Sequence, residues 1–538
     1  AARRRMAAAG VPVTPGYDVE DQSDAAFAAA AHAIGFPLLV KAAAGGGGRG
    51  MRLVERPEGL APALAAARAE AEAAFGDGRL LLERYLAGAR HVEVQVVADA
   101  RGSIVHLFDR DCSIQRRRQK LVEEAPAPGI PEPTRAAMAE AAIACARAIG
   151  YVNAGTVEFL LAPDGRFSFM EMNTRLQVEH PVTEAVTGID LVEWQLRIAA
   201  GEPLPLAQHE IAASGHAIEA RIIAENPAHD FAPAPGPIAL ADWPQGPGIR
   251  IDSGYDAGDT VPATYDSLVA KLVVHAPDRT WALRRIEAAL RATHVGPQPT
   301  TVPLLARVVA DDAFRRGPVP TGWLEDNLTR LAPPDGAPPP EALALAAWWS
   351  LRPTAGNGDP WTRRDGWRLS GRGTAHLAWT DHAGGVHACA IAYRDDGIAC
   401  DWGAGPVALT HGSVDGSAVH MLMDGRRIAG HVLADGDRLV VLTDGTRTEL
   451  HPPAREREGP VAAGDGSVTA PLPGRVLQVH VAAGAAVAAG TPLLVLEAMK
   501  MQHTLNAPAA GTVAALHVAP GDQIARGDLL VVIAPESG

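Results

Sequence analysis

The sequence predicts a multidomain α/β protein that ends in a small β-sandwich. Three observations lead there. Its 538 residues suit three or four domains of roughly 150 residues each. Pro333–Pro340 is a proline-rich break about three-fifths of the way along. The C-terminal end contains an internal duplication. Apolar residues make up 47%, ample for packed cores, and the net charge of −14 argues against general nucleic-acid or anionic-membrane binding. Cys112, Cys145, Cys389 and Cys400 are scattered without metal-ligand spacing, the usage of buried thiols in a reducing compartment. No apolar run reaches the roughly 18 residues of a membrane span, and no signal-peptide pattern is visible.

Of the 48 basic residues only Lys41, Lys120, Lys271 and Lys500 are lysine. Such a bias fits a GC-rich bacterial genome in which arginine serves wherever a positive charge suffices. The remaining lysines are then enriched where an amine is required, because a guanidinium is not acylated as an amine is and has a different donor geometry.

The duplication comes into view on shifting Ala470–Leu496 by 37 positions onto Ala507–Ile533, which gives 12 identities in 27 positions. Each copy has short β-type runs broken by Gly turns. One copy cannot bury its own apolar face, so two should pair about a pseudo-two-fold axis. Glu497–Asn506 connects them and places Lys500 between Met499 and Met501, near an expected hairpin tip. The run Glu497-Ala498-Met499-Lys500-Met501 resembles the biotinylation motif of biotin carboxyl carrier domains. That resemblance implies biotin in amide linkage to Lys500. Lipoyl domains share the fold and the lysine position but lack the Met-Lys-Met setting.

In the N-terminal half, Phe36–Lys41 reads as a strand ending in lysine. It runs into Gly45, Gly46, Gly47 and Gly48, whose backbone N–H groups could approach phosphate oxygens. No Walker lysine follows the glycines. Leu80–Leu86 and Arg90–Val96 also read as strands. The cationic run Asp109–Lys120, followed by Glu123 and Glu124, suits an anion site better than a disordered tail. Glu158 and Glu171 fall on successive strands joined across Asp164-Gly165, with Asn173 beside the second. They form an oxygen set suited to Mg2+ on a triphosphate, and an unpaired carboxylate within an apolar strand would be costly.

Lys41–Arg52, Gln115–Lys120 and Glu171–Glu184 resemble, in order and spacing, the ATP-grasp biotin carboxylases over about residues 3–330. The resemblance implies that Lys41 contacts ATP phosphates beneath a Gly45–Gly48 lid loop. It implies that Glu83, Leu86, His91 and Gln115 line the adenine and ribose pocket, and that Glu158, Glu171 and Asn173 hold Mg2+ (or Mn2+). Lys120, Arg175, Gln177, Val178 and Glu179 would surround bicarbonate, with Glu179 as general base and Arg221 on the biotin ureido oxygen. Arg118 departs from the histidine common in the family. Lys271 lies in a family-like segment, and structural pairing and function are equally open for it. In the family about a hundred further residues, a Rossmann-like subdomain, precede the residue corresponding to Ala1. The chain is therefore expected to be N-terminally truncated.

The expected division is residues 1–13 (remnant of that subdomain), 14–86 (ATP-grasp lid), 87–330 (remainder of the carboxylase), 331–341 (linker), 342–455 (docking domain), 456–467 (linker) and 468–538 (biotinyl, lipoyl-like sandwich). Six of the ten tryptophans lie between 341 and 402, too many for a tether and common at packed interfaces. The order resembles acyl-CoA carboxylase α subunits. In these the middle region is a small antiparallel β-barrel around a helix that docks a carboxyltransferase β subunit, here expected as an α6β6-type assembly. The short middle region favours methylcrotonyl-CoA or geranyl-CoA types over propionyl-CoA, and about 120 residues cannot hold the TIM-barrel transferase of pyruvate carboxylase. The expectation is thus a cytoplasmic, ATP-dependent ligase that carboxylates biotin on Lys500, with a biotin protein ligase as a further partner. A biotin carrier and docking subunit with an impaired carboxylase half is the alternative.

Overall fold

Along the strand Arg90–Ala98, Val92, Val94 and Val96 share one face and meet Met138, Ala142 and Cys145 of the helix Glu132–Ala148. The two-residue period of a strand turns His91, Glu93 and Gln95 to the opposite face, where they are equally buried. This strand is third from one edge of an eight-stranded sheet. The order is Ile249–Ser253, Leu268–Ala276, His216–Ile223, Gln119–Ala125, Ile104–Arg116, Arg90–Ala98, Asn153–Leu161 and Phe167–Asn173. Every neighbouring pair is antiparallel. The computed structural model describes residues 2–44, 51–334, 336–352, 366–453, 466–471, 473–498, 501–525 and 527–535.

A smaller sheet precedes it, in the order Gly16–Tyr17, Leu80–Arg84, Leu38–Ala42 and Arg52–Val54. Helices Asp24–Ile34 and Leu60–Phe75 share its core through Phe27, Leu60, Leu64 and Ala67. Ser23 caps the first helix by accepting from Ala26 N–H. The second ends at Gly76, at φ +66°.

The helix Pro340–Leu351 is apolar nearly all round, and Ala342 through Ala347 are all buried. Such a helix must be enclosed. An eight-stranded antiparallel meander from Thr374–Thr380 to Thr446–Leu450 shares its core. Thr380 and His451 exchange backbone hydrogen bonds of 2.8 and 2.9 Å, so the end of the meander returns to its first strand and closes a near-barrel around the helix, as expected.

The duplicated region forms two four-stranded sheets. Its hydrogen bonds repeat at the 37-residue interval. Gly484 N–H donates to Val513 while Gly521 N–H donates to Val476, and Gly490 donates to Ala507 while Gly527 donates to Ala470. Each copy thus completes the other, the pseudo-two-fold pairing expected from the repeat. No helix among the described residues is long and apolar enough to cross a membrane.

Candidate active site

Buried polar residues on strands of the large sheet, together with the segment 173–180, converge on Lys120. Its Nζ lies 2.6 Å from Glu93 Oε2, 3.0 Å from Glu158 Oε1 and 2.5 Å from Glu179 Oε1. Strand register explains the gathering, since Glu93 sits opposite Glu158 and Gln115 opposite Lys120. The other oxygen of Glu179 accepts from Arg221 Nη2 at 2.7 Å, and Arg221 Nε donates to Glu123 at 2.7 Å. Gln177 donates to Glu158 at 2.8 Å.

Beneath this layer, Arg110 is fully buried. It donates to Glu93 at 2.6 Å, to Gln95 at 2.8 Å, and to Thr183 and Gln177 at 2.9 Å. A buried guanidinium is tolerated only when its donors are met, as here.

The electrostatics follow from burial set against these pairs. Burial opposes ionisation of Glu93, but Lys120 and Arg110 outweigh it and hold its carboxyl at about 2. Burial likewise works against Glu158, and His91 and Lys120 overcome it and keep it well below the ordinary range. Glu123 goes the other way: burial, only partly offset by Arg221, pushes it up to about 7. Burial disfavours the Arg221 cation, yet Glu123 and Glu179 fix it in the charged form.

Glu171 lies directly opposite Glu158. It is exposed, a correction to the expectation that both carboxylates are enclosed, because its strand is the edge of the sheet. Desolvation around the carboxyl and the Glu158 charge push it up. Asn173 Nδ2 and His91 Nε2 are buried without a hydrogen-bond partner. His91 Nε2 lies 3.4 Å from Glu158 Oε2. His91, Glu93 and Glu158 offer ligand atoms mutually within 4.8 Å, the spacing of a cation site. Two adjacent carboxylates with unmet polar atoms beside them fit a hard divalent cation and its phosphate ligands.

Gln115 donates to the Cys112 carbonyl at 3.0 Å and approaches His91 Nδ1 at 3.4 Å. Lys41 forms an ion pair with Glu83 inside the smaller sheet. Half-buried Leu86 lies on the connection between the two sheets. Arg175 stands apart from the network: it is exposed and donates to the Leu176 carbonyl at 3.1 Å. Gly45 through Gly48 and Lys500 lie outside the described residues, and the strands flanking Lys500 in sequence pair up to Ala498 opposite Met501.

Sequence reasoning gave no role to Glu93 or Gln95 and took Arg110 and Glu123 only as parts of a charged run suited to an anion site. Alternating polar residues in a strand normally face water, so the signal lay in the register of Glu93 against Glu158, which needs the sheet. Lys271 now has a structural place. It donates to the Val178 carbonyl at 3.0 Å and lies 3.3 Å from Asp252, pinning the segment that carries Gln177 and Glu179.

Four family models match in series. They are the carbamoyl-phosphate synthase L chain ATP-binding domain over residues 1–207, the biotin carboxylase C-terminal domain over 219–326, the methylcrotonyl-CoA carboxylase alpha-subunit BT domain over 339–455, and the biotin-requiring enzyme domain over 466–533. The mitochondrial methylcrotonoyl-CoA carboxylase subunit alpha of Dictyostelium discoideum is 40% identical over 520 residues, covering 93% of this chain and 74% of that protein. The mouse protein of the same name is 40% identical over 519 residues, covering 93% of this chain and 72% of the relative. Among solved structures, the biotin carboxylase domain of Hydrogenobacter thermophilus 2-oxoglutarate carboxylase, in complex with MgADP, ADP and bicarbonate, superposes with a TM-score of 0.60. It is 44% identical and covers 62% of this chain and 74% of that one. With all four models in order and two-fifths identity across nearly its whole length, the chain belongs to the methylcrotonoyl-CoA carboxylase alpha-subunit family of biotin-dependent carboxylases.

Proposed function

We propose that this chain charges a biotin carried on Lys500 with CO2 drawn from bicarbonate at the expense of ATP. The observation that carries the reading is Glu179 held between two cations, Lys120 on one oxygen and Arg221 on the other, next to the facing pair Glu158 and Glu171. Bicarbonate entering there meets a base and two positive groups at once. Glu179 takes its proton, which makes it a better nucleophile toward the γ-phosphoryl group of ATP. ADP leaves as carboxyphosphate forms, Lys120 and Lys41 spread its charge, and Glu158, Glu171 and Asn173 would hold a Mg2+ (or Mn2+) to share it.

Exclusion of water from the pocket keeps carboxyphosphate from being hydrolysed. Glu83, Leu86, His91 and Gln115 receive the nucleoside, and Arg175, Gln177 and Val178 complete the bicarbonate site. Carboxyphosphate splits into CO2 and phosphate, and biotin, when attached, would supply the ring nitrogen that gives its proton to that phosphate and accepts the CO2. Arg221 offers planar donors to the ureido oxygen as it gains charge. Burial holds half-buried His503, three residues beyond Lys500, below the ordinary histidine range.

The near-barrel docks a separate carboxyltransferase β subunit in an α6β6-type assembly. That subunit passes the carboxyl group to an acyl-CoA of the 3-methylcrotonyl type, and a biotin protein ligase loads Lys500. The adjacent Cys389 and Cys400, both free thiols, suit a reducing cytoplasm.

The test is ADP release from ATP with free biotin, with and without bicarbonate, in the wild type and in Glu179→Gln. Bicarbonate-dependent turnover lost in the variant supports the reading. Turnover indifferent to bicarbonate or to the substitution contradicts it, and no turnover in the wild type leaves the carrier and docking role.

A further inference from the structure

We propose that Asp242, His294 and His431 form a binding site for a borderline divalent cation of the zinc class, spanning the contact between the carboxylase region and the near-barrel. Asp242 ends the strand Gly236–Asp242 and lies in register with His294, which begins His294–Pro297. His431 comes from the barrel strand Arg426–Asp435. One ligand atom from each lies within 4.8 Å of the other two. Asp242 Oδ2 is 3.2 Å from His431 Nε2 and 3.6 Å from His294 Nδ1. Tetrahedral zinc with bonds of about 2.0–2.1 Å sets its ligand atoms about 3.3 Å apart, so both separations already match an edge of the tetrahedron.

Hydrogen bonding accounts for only part of the cluster: His431 Nε2 meets Asp242 Oδ2 at 3.2 Å, and His294 is left out. Both ring nitrogens of His294 are buried without a partner, and 3.6 Å is too long for a hydrogen bond. An imidazole whose two nitrogens are both buried and unmet asks for an ion or a water. His431 is already aimed: its Nδ1 lies 3.0 Å from Ser417 Oγ, which leaves Nε2 toward Asp242. Metal-binding histidines are oriented by such an outer partner. Asp242 is 53% exposed, which gives an entry path and room for a water in the fourth position.

The cation would act as a staple. Elsewhere this contact includes the Arg447 Nε bond to the Pro297 carbonyl at 2.9 Å and a small apolar cluster of Leu433, Val440 and Leu442 against Leu240. A metal held by residues of both regions fixes the docking barrel relative to the carboxylase.

The experiment is equilibrium dialysis of the chelator-treated full chain against Zn2+. Metal content and thermal midpoint are read for the wild type, His431→Gln, Asp242→Asn and Ser417→Ala. Asp242→Asn changes a half-exposed position and guards against simple misfolding. The expected result is one zinc fewer in both ligand variants than in the wild type, a zinc-dependent rise in midpoint only where the ligands are intact, and affinity about tenfold weaker in Ser417→Ala. Co2+ in place of Zn2+ should give the intense visible absorption of a four-coordinate ion. Equal zinc uptake by the wild type and both ligand variants, or none by any, would overturn the proposal.

Discussion

Around Lys120, the large sheet and the segment 173–180 bury Glu93, Arg110, Glu158 and Glu179 and half-bury Arg221. In the C-terminal sandwich the corresponding interior is Val476, Leu494, Leu496, Val513, Leu530, Val531 and Ile533. The first interior costs stability and demands that every charge be met. The second follows directly from apolar area and needs only its own duplicate to be complete. Charge is buried where a reaction requires it and absent where the fold has only to present one side chain.

Breaking the charged interior should have the largest effect. Arg110→Met leaves Glu93 Oε1, Gln95, Thr183 and Gln177 without their donor. It should destabilise the large sheet by about 3–5 kcal/mol, read by urea unfolding, while the sandwich unfolds as before. A wild-type midpoint in this variant would mean that the network is not what holds the sheet together.

Glu179→Gln should lower bicarbonate-dependent ATP cleavage by about 10²–10⁴-fold, and it should also lower stability, because its amide NH2 replaces an oxygen that accepts from Lys120 or Arg221. In the sandwich, Ile533→Val trims a fully buried side chain and should cost only about 0.5–1.5 kcal/mol, confined to that domain. A loss spread across the whole chain would show that the two regions are coupled.

The charged interior should also show a pH dependence. Glu123 titrates at about 7 when folded, raised from about 4.5. Its contribution is therefore fully present below about 4.5 and is lost as pH rises through 7. Between those values the stability of the wild type should fall relative to Glu123→Gln. Parallel curves for the two proteins would refute the shift.

Much of this was legible because chemistry fixes residue identity. Three of the four lysines lie among the described residues. Lys120 centres the network, Lys41 pairs with Glu83, and Lys271 pins the Val178 carbonyl. The facing of Glu158 and Glu171 followed from the Asp164-Gly165 turn, and the two-fold sandwich from the 37-residue repeat. Arg110 and Glu93 were not legible, because strand alternation cannot tell a solvated face from a second buried one. Sheet order decides that, and it joins His216–Ile223 to Gln119–Ala125 across almost a hundred residues. The exposure of Glu171 was missed for the same reason, since nothing local marks an edge strand. The Asp242, His294 and His431 cluster lies further still from local signal, because it exists only once the barrel has docked.

The central claim joins the nucleotide site to the lysine of the sandwich. Radiolabelled bicarbonate, added with MgATP to the biotinylated full chain and followed by rapid gel filtration, tests it directly. The account predicts label that comes off with the protein only when ATP is present, and that is absent from both Lys500→Arg and Glu179→Gln. Label retained by Lys500→Arg, or incorporated without ATP, would contradict it.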